Sequence, residues 1–575
     1  MTTISAAPDG PCIIQSDLSV LVEVDHHRFE EAREVLARFA ELVKSPERMH
    51  TYRITPLSLW NAAAAGFGPD WILPRLEAVS RYSIPTAIRS EIIEQAARYG
   101  KLVLRRDESG GLLLEAGEPM LAARLEKFEA IQSCLAGRSG SGFVVHELQR
   151  GRLKHAMVKL GYPIRDLAGY TNGTPFHLSL RGADRAGRPF GLRDYQRRAV
   201  ESFLGPAEGP GAGEGGSGVV AMPCGAGKTI VGLGVMERLG CHTLILAANI
   251  MALRQWREEI LDKTGIPAEL IGEYSGEKKE IRPVTIATYQ VITYRSTGQA
   301  GTYPHYDLFN SQDWGLIVYD EVHLLPAPIF QITAALQARR RLGLTATLIR
   351  EDGREDEVFS LIGPKRYDIP WRTLEENGWI AQAQCFEVRV PFSDDKMLAY
   401  ATEADDHVRF RLAAENPAKE EALAALLARH QDDRVLIIGQ YLDHLEHLAE
   451  RFGLAVLTGR SASATRERLF RDFREGRLLK LVVSSIANIA VDLPEANCAI
   501  QVSGRFGSRQ EEAQRLGRVL RPKRGANKAF FYTLVTQDTD EQAYARHRQL
   551  FLAEQGYRYT IMPAASLSDL SQARN

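Results

Sequence analysis

Residues 218–230 read Gly218-Val219-Val220-Ala221-Met222-Pro223-Cys224-Gly225-Ala226-Gly227-Lys228-Thr229-Ile230: a short apolar run, a glycine-rich turn, then the first residues of a helical pattern that continues to Leu239. Gly225 and Gly227 let the backbone curl until successive N–H groups face one point, and a helix N-terminus adds its positive end there, which is the geometry of a phosphate cradle. In such a cradle Lys228 reaches the β- and γ-phosphates and the Thr229 hydroxyl holds Mg²⁺, so Pro223, Cys224, Gly225, Ala226, Gly227, Lys228 and Thr229 are the candidate ATP-binding residues. The strict pattern has glycine where this chain has Met222. The bland alternative is a glycine-rich turn with a chance lysine, and a second signal has to decide.

That signal lies downstream. Leu316-Ile317-Val318-Tyr319 runs as a buried strand and ends in Asp320-Glu321-Val322-His323. A carboxylate at the C-terminal end of a parallel strand can hold Mg²⁺ and its neighbour can orient an attacking water, which gives Asp320 the metal role and Glu321 the base role. Acidic strand ends are common alone; their order after Lys228 fits one nucleotide-hydrolysing domain. Short apolar runs at Gly218 to Met222, Thr243 to Ala247, Val284 to Ala287 and Gly315 to Tyr319 alternate with helical patterns, and a second such series holds runs at Val435 to Ile438, Leu481 to Ser484, Ala499 to Val502 and Ala529 to Leu534. Alternation of this kind predicts two α/β domains built on parallel sheets. In the second, Gln514-Arg515-Leu516-Gly517-Arg518-Val519-Leu520-Arg521 places Arg518 and Arg521 on one helix face. Alone that is a solvated basic helix; beside an ATP site the two arginines, with Gln514, become candidates to stabilise charge on the γ-phosphate when the domains close.

The first ~185 residues mix strand-like stretches (Ser19 to Val24, Lys101 to Leu104) with helical ones (Phe29 to Leu42, Ala87 to Tyr99), an α+β accessory region. Expected divisions are 1–115, winged-helix-like; 116–185, a small α+β domain; 186–385, the first motor domain; 386–416, an acidic insertion; and 417–575, the second motor domain with its tail. Gly205 to Gly218 is expected as a surface loop. A chain of 575 residues with 45% hydrophobic and 25% charged residues folds as several ordinary globular domains. Its net charge of -1 rules out a general basic coat but not a local basic groove. Six scattered cysteines without a CxxC pair argue against structural zinc and disulfides, and no basic leader or ~20-residue apolar run is present. A cytoplasmic, membrane-free setting is expected.

Taken in order, these motifs resemble those of superfamily 2 helicases, whose fold is a pair of RecA-like domains. Within that group the closer resemblance is to the XPB type, helicases of nucleotide excision repair, in their bacterial form. It rests on Pro223 to Thr229, Asp320 to His323 with Leu325-Pro326-Ala327, Gly343 to Asp352, Asp492-Leu493-Pro494-Glu495-Ala496, and Gly507-Ser508-Arg509 running into Gln514 to Arg521. It implies that Gln196, with Arg193, reads adenine; that Thr345-Ala346-Thr347 links hydrolysis to strand handling; and that Arg350-Glu351-Asp352 sits where strands separate. It further implies nucleic-acid contacts at Arg254, Gln255, Trp256, Thr288, Tyr289 and Ser484, a thumb-like role for the insertion, 116–185 as a damage-recognition domain, and 3′ to 5′ polarity. Trp256 has an equally good reading as a helix-packing aromatic. Ala487-Asn488 stand where the eukaryotic pattern has Gly-Asp. DNA, single-stranded or forked, is the expected partner, with a repair nuclease as a second and a location at the nucleoid. A duplex translocase that does not unwind and an RNA helicase are the competing readings; oligomeric state is open.

Overall fold

A computed structural model of the chain describes residues 10–44, 48–140, 142–146, 149–205, 215–223, 225–294, 304–305, 308–309, 311–325, 339–346, 355–484, 496–504, 528–554, 557 and 559–567. The chain divides into two compact units, the bulk of one running to Ile369 and the bulk of the other from Pro370 to Asn575.

The first unit is centred on a seven-stranded sheet whose spatial order is Ile271–Tyr274, Val284–Thr288, Thr243–Ala247, Leu316–Asp320, Arg340–Thr345, Ser217–Ala221, Lys365–Asp368. Every pairing in it is parallel. The inner strands are buried along their length, which is why they read in sequence as continuous apolar runs rather than alternating ones. Parallel strands put all their C-terminal ends on one edge of the sheet, and the helices Lys228–Leu239 and Ile250–Lys263 start there.

The second unit repeats the plan: Ala455–Leu457, Lys480–Ser484, Val435–Gly439, Cys498–Gln501, Lys528–Thr536, Gln382–Val390, Tyr559–Pro563, again all parallel. This mixed α/β architecture on two parallel sheets is the expected fold class. The boundary expected at 385/386 is corrected, because it cuts the strand Gln382–Val390, which pairs along its whole length with Lys528–Thr536. The expected insertion accordingly begins inside that strand. Its acidic remainder folds as two helices, Asp394–Thr402 and Asp406–Ala414, held to this unit by Arg409 on Asp540 at 2.8 Å and by the Phe410 ring edge-on to Tyr544.

The accessory region has two sheets. Cys12–Ile14, Ser19–Glu23, Met49–Arg53 and Glu41–Lys44 form one, and Leu135–Ser139, Gly142–Val145, Leu112–Ala116, Leu102–Arg106 and Ile164–Asp166 the other. The break expected at 115/116 is also corrected: it falls in Leu112–Ala116, whose Leu112 and Leu114 share a core with Phe143, Leu153 and Met157 from the far side of it. The helix expected over Phe29 to Leu42 stops at Leu36, and Glu41–Lys44 is a strand. Ser217 and Gly218, expected in a surface loop, open a central strand instead, while 206–214 lie outside the described residues.

This region belongs to the first unit through a polar junction. Arg150 grips Asp166 through two hydrogen bonds, at 2.9 and 2.7 Å, and Lys154 reaches the same carboxylate at 3.1 Å. The Tyr170 ring lies 5.4 Å from the Arg150 guanidinium and 5.5 Å from that of Arg341, a fully buried residue of the motor sheet. Arg341 donates to the Leu361 carbonyl at 2.8 Å and to the Ser217 hydroxyl at 3.1 Å. Beside this junction Trp60 and Val158 pack on Phe359 of the helix Glu355–Leu361, and the Lys365 amide donates to Asn61 at 3.0 Å.

Burial alone would raise the Asp166 carboxyl, but Lys154 and Arg150 outweigh it and hold the group well below the usual carboxylate range. A depressed carboxylate stabilises the fold fully above its unfolded pKa and loses that contribution as pH falls below it. Asp166→Asn leaves buried cations without their carboxylate, so it is expected to cost about 3–5 kcal/mol at neutral pH. Thermal midpoints taken from pH 7 downward should show the gap to wild type narrowing below about pH 4; a gap independent of pH would mean that Asp166 acts by packing alone.

Candidate active site

The strand Ser217–Ala221 leads into the turn expected to cradle phosphate. The Met222 amide donates to the Thr345 carbonyl at 2.9 Å, which ties the strand's exit to its neighbour Arg340–Thr345. The turn then closes with the Ala226 amide on the Pro223 carbonyl at 3.2 Å, and the helix Lys228–Leu239 follows. Gly227 has φ +82°, and a Cβ there would lie 2.5 Å from Gln196 Nε2, so both backbone and space demand glycine. Gln196 is buried, and its Oε1 accepts from the Arg193 amide at 3.0 Å, which seats the side chain against the cradle. Gln196, Gly227, Lys228 and Thr229 are thus brought to one place by the start of two helices. Cys224 lies outside the described residues.

Asp320 and Glu321 end the neighbouring central strand. Glu321 sits in left-handed backbone, φ +48°, an uncommon conformation for a residue with a side chain. That turn sends the two carboxylates different ways. Glu321 Oε1 lies 3.5 Å from Lys228 Nζ, and its Oε2 lies 3.5 Å from His323 Nδ1. The same His323 nitrogen is 2.8 Å from the Thr345 hydroxyl. Asp320 accepts from Trp256 Nε1 at 3.0 Å, and its backbone carbonyl accepts from the Tyr289 hydroxyl at 2.9 Å. Burial first, then the Glu321 charge, push the Asp320 carboxyl up to about 6, against the pull of the Trp256 N–H and Lys228.

A buried carboxyl whose pKa is raised by the carboxylate beside it is a place where a divalent cation is welcome. Among the described residues no group of three or more His, Cys, Asp or Glu side chains could hold a metal by itself. The donors at hand, the Asp320 carboxylate and the Thr229 hydroxyl, are hard oxygens, and Mg²⁺ commonly takes one or two protein oxygens and completes its shell with phosphates and water. The residues fit Mg²⁺ arriving with a nucleotide.

The residues expected on nucleic acid divide. Arg254 and Gln255 are exposed on the helix Ile250–Lys263, with Arg254 3.3 Å from Glu277. Trp256 is 1% exposed, because Leu253, Trp256 and Ile260 form the inward stripe of that helix. The Thr288 side chain is buried and caps the short helix Tyr289–Ile292, accepting from the Val291 amide at 3.4 Å. Tyr289 is 3% exposed, and Ser484 ends a central strand with its side chain buried. The side chains of Trp256, Thr288, Tyr289 and Ser484 are therefore not surface contacts. What the sequence reading missed is that Trp256 and Tyr289 both end on Asp320; the apolar spacing of Leu253, Trp256 and Ile260 was the available signal for the first. Thr347, Arg350, Glu351, Asp352, Gln514, Arg518 and Arg521 lie outside the described residues, as do 485–495.

Residues 374–574 match the family described as ERCC3/RAD25/XPB C-terminal helicase, residues 189–350 the one described as Type III restriction enzyme, res subunit, and residues 12–139 the one described as helicase conserved C-terminal domain. The chain is 52% identical over 557 residues to a DNA 3′-5′ helicase XPB of Kineococcus radiotolerans, covering 97% of each. It is 50% identical to a DNA 3′-5′ helicase XPB of Mycobacterium tuberculosis, covering 97% of this chain and 99% of that one. It is 30% identical to the general transcription and DNA repair factor IIH helicase/translocase subunit XPB of Encephalitozoon cuniculi, over 96% of this chain and 82% of that protein.

Proposed function

We propose a function for this chain from one premise: it belongs to the XPB family of DNA helicases. It is an ATP-dependent DNA helicase that moves 3′ to 5′ and separates strands. The observation that carries the reading is the convergence of Lys228, Glu321 and Asp320 at the end of one parallel sheet, with Lys228 and Glu321 3.5 Å apart.

In this reading Lys228 binds the β- and γ-phosphates, and the backbone amides of the Pro223 to Thr229 turn cradle them. The incoming phosphates compete for Lys228 and release Glu321, which then orients the attacking water. Thr229 and Asp320 would hold Mg²⁺, which would supply neutralisation of the phosphate charge. Gln196 and Arg193 bind the base. Gln514, Arg518 and Arg521 supply charge to the γ-phosphate from the second motor domain, an assignment resting on their spacing and on the family pattern. Arg254 and Gln255, exposed on a helix at the sheet's C-terminal edge, are the nucleic-acid contacts supported best. The divisions into accessory, first motor and second motor regions are proposed with the corrected edges, the second motor beginning before Gln382, and the helices Asp394–Thr402 and Asp406–Ala414 as the thumb candidate.

The proposed substrate is single-stranded or forked DNA, acted on in repair at the nucleoid; a repair nuclease as partner rests on the family's role alone. Among the described residues no helix is long and apolar enough to cross a membrane. ATPase and unwinding assays on 3′-tailed, 5′-tailed and blunt DNA, with matched RNA as competitor, test the reading. Unwinding confined to 3′-tailed DNA supports it. ATP turnover without unwinding would point to a translocase, and preference for RNA would overturn the substrate.

Lys228→Ala and Glu321→Gln are each expected to lower DNA-stimulated ATP turnover by about 100-fold or more. They separate in binding: Glu321→Gln keeps its affinity for ATP, whereas Lys228→Ala binds it poorly. Near wild-type hydrolysis by either variant would dismiss the site.

Arg350, Glu351 and Asp352 belong to none of the groups needed for phosphoryl transfer. Replacing all three with alanine is expected to cut strand separation sharply and spare most ATP turnover. A loop-fixing ion-pair cluster would instead lower the thermal midpoint or both activities in parallel; full unwinding by the triple variant removes the wedge role.

A further inference from the structure

Two aromatic side chains unused by the chemistry above end on the residue proposed to hold the metal. Trp256 donates its indole N–H to the Asp320 carboxylate at 3.0 Å and is 1% exposed. Its ring lies against the cradle helix Lys228–Leu239: a Cβ on Gly232 would stand 2.6 Å from the ring's Cη2 atom. One side chain thus touches both the helix that starts at Lys228 and the carboxylate at Asp320. Tyr289, 3% exposed, donates its hydroxyl to the Asp320 carbonyl oxygen at 2.9 Å, so the same residue is held at side chain and backbone by separate elements.

The placement of the two anchors in the chain gives them their meaning. Trp256 directly follows Arg254 and Gln255, which are exposed on the outer side of the same helix. Tyr289 opens the short helix Tyr289–Ile292, whose Gln290 is exposed, and Tyr294 just beyond it is 54% exposed. Each element therefore offers polar or aromatic surface to solvent at the sheet's C-terminal edge and an anchor to Asp320 inside. A helix is stiff over one turn, so a shift imposed on Arg254 and Gln255 moves Trp256 with them, and packed interiors transmit such shifts rather than absorb them.

We propose that Trp256 and Tyr289 are positioning residues that link nucleic-acid occupancy of these two elements to the placement of Asp320, so that DNA and Mg²⁺-nucleotide bind cooperatively through them. The inference rests on the DNA-helicase reading above. Gly232 belongs to the same device, as the space that lets the indole lie flat on the cradle helix.

The test uses the full chain, a 3′-tailed DNA duplex and a non-hydrolysable ATP analogue with Mg²⁺. Analogue affinity is measured with and without saturating DNA, and DNA affinity with and without saturating analogue; linkage requires one factor from both directions. Wild type is expected to show mutual tightening of about 5- to 150-fold. In Tyr289→Phe, which removes one hydroxyl, and in Trp256→Phe, which removes the indole donor, that factor should fall toward one while DNA affinity without nucleotide is kept. Gly232→Ala, which alters neither Asp320 nor the outer surface, should reproduce Trp256→Phe by displacing the ring. Tyr289→Phe carries the test alone if the other two variants do not fold. Mutual tightening retained in Tyr289→Phe and Trp256→Phe overturns the proposal, as does DNA affinity lost without nucleotide, which would make these direct contacts. Failure of the underlying reading looks different: wild type itself would show no nucleic-acid-stimulated ATP turnover.

Discussion

Asp320 and Glu321 stand in succession at the end of a strand whose other residues are buried, and placing two carboxylates there is the constraint that shapes the first unit. Neither can be left bare, because a buried anion without a partner costs several kcal/mol. The backbone resolves part of this by turning Glu321 into left-handed space, so that the pair diverges. Glu321 then meets Lys228 and His323, and Asp320 meets the indole N–H of Trp256. What remains is a carboxyl whose pKa is raised by burial and by its neighbour, a poor ending for a strand and a suitable one for the metal role proposed for it.

The neighbours of this pair are set by sheet order rather than chain order. Leu316–Asp320, Arg340–Thr345 and Ser217–Ala221 are adjacent in space, so residues more than a hundred positions apart converge at one edge. Thr345 is the join. Its carbonyl accepts the Met222 amide just ahead of the phosphate cradle, and its hydroxyl meets His323 behind the acidic pair. A nucleotide that moves the proposed cradle or the acidic turn acts on Thr345 from both sides, and Arg350 to Asp352 follow Thr345 within seven positions of the sequence. Packing of the accessory region bears on the same sheet from the other end, through Arg341, which shares a strand with Thr345 and faces Tyr170 and the Arg150 to Asp166 cluster.

What could be read from sequence follows from what burial does to composition. Central parallel strands must be apolar on both faces, so Thr243–Ala247, Leu316–Asp320 and Val435–Gly439 were legible as runs, and with them the α/β class. Lys365–Asp368 and Gln382–Val390 were not, because Lys-Arg-Tyr-Asp and Gln-Ala-Gln-Cys-Phe-Glu-Val-Arg-Val carry no such run, and the domain edge slipped with them. The helix after Phe29 was overextended because Phe39 and Leu42 keep an apolar spacing that serves a different element. Lys228, Thr229, Asp320 and Glu321 could be proposed from sequence because phosphate and metal chemistry restricts the residue types that serve it, and the structure sets Lys228 and Glu321 3.5 Å apart.

Trp256 and Tyr289 escaped for the opposite reason. Nothing in the chemistry of an indole or a phenol distinguishes a surface that stacks on a base from a donor turned inward, and only burial chooses between them. Here burial chooses the donor role at both positions, and both donors end on Asp320. Two anchors on one residue overdetermine its position, and they come from separate strand–helix units, so neither unit can shift without loading Asp320. Arg254 and Gln255 on the outside of one unit, and Gln290 on the outside of the other, are then more than a passive surface: whatever grips them acts on the carboxylate proposed to hold the metal.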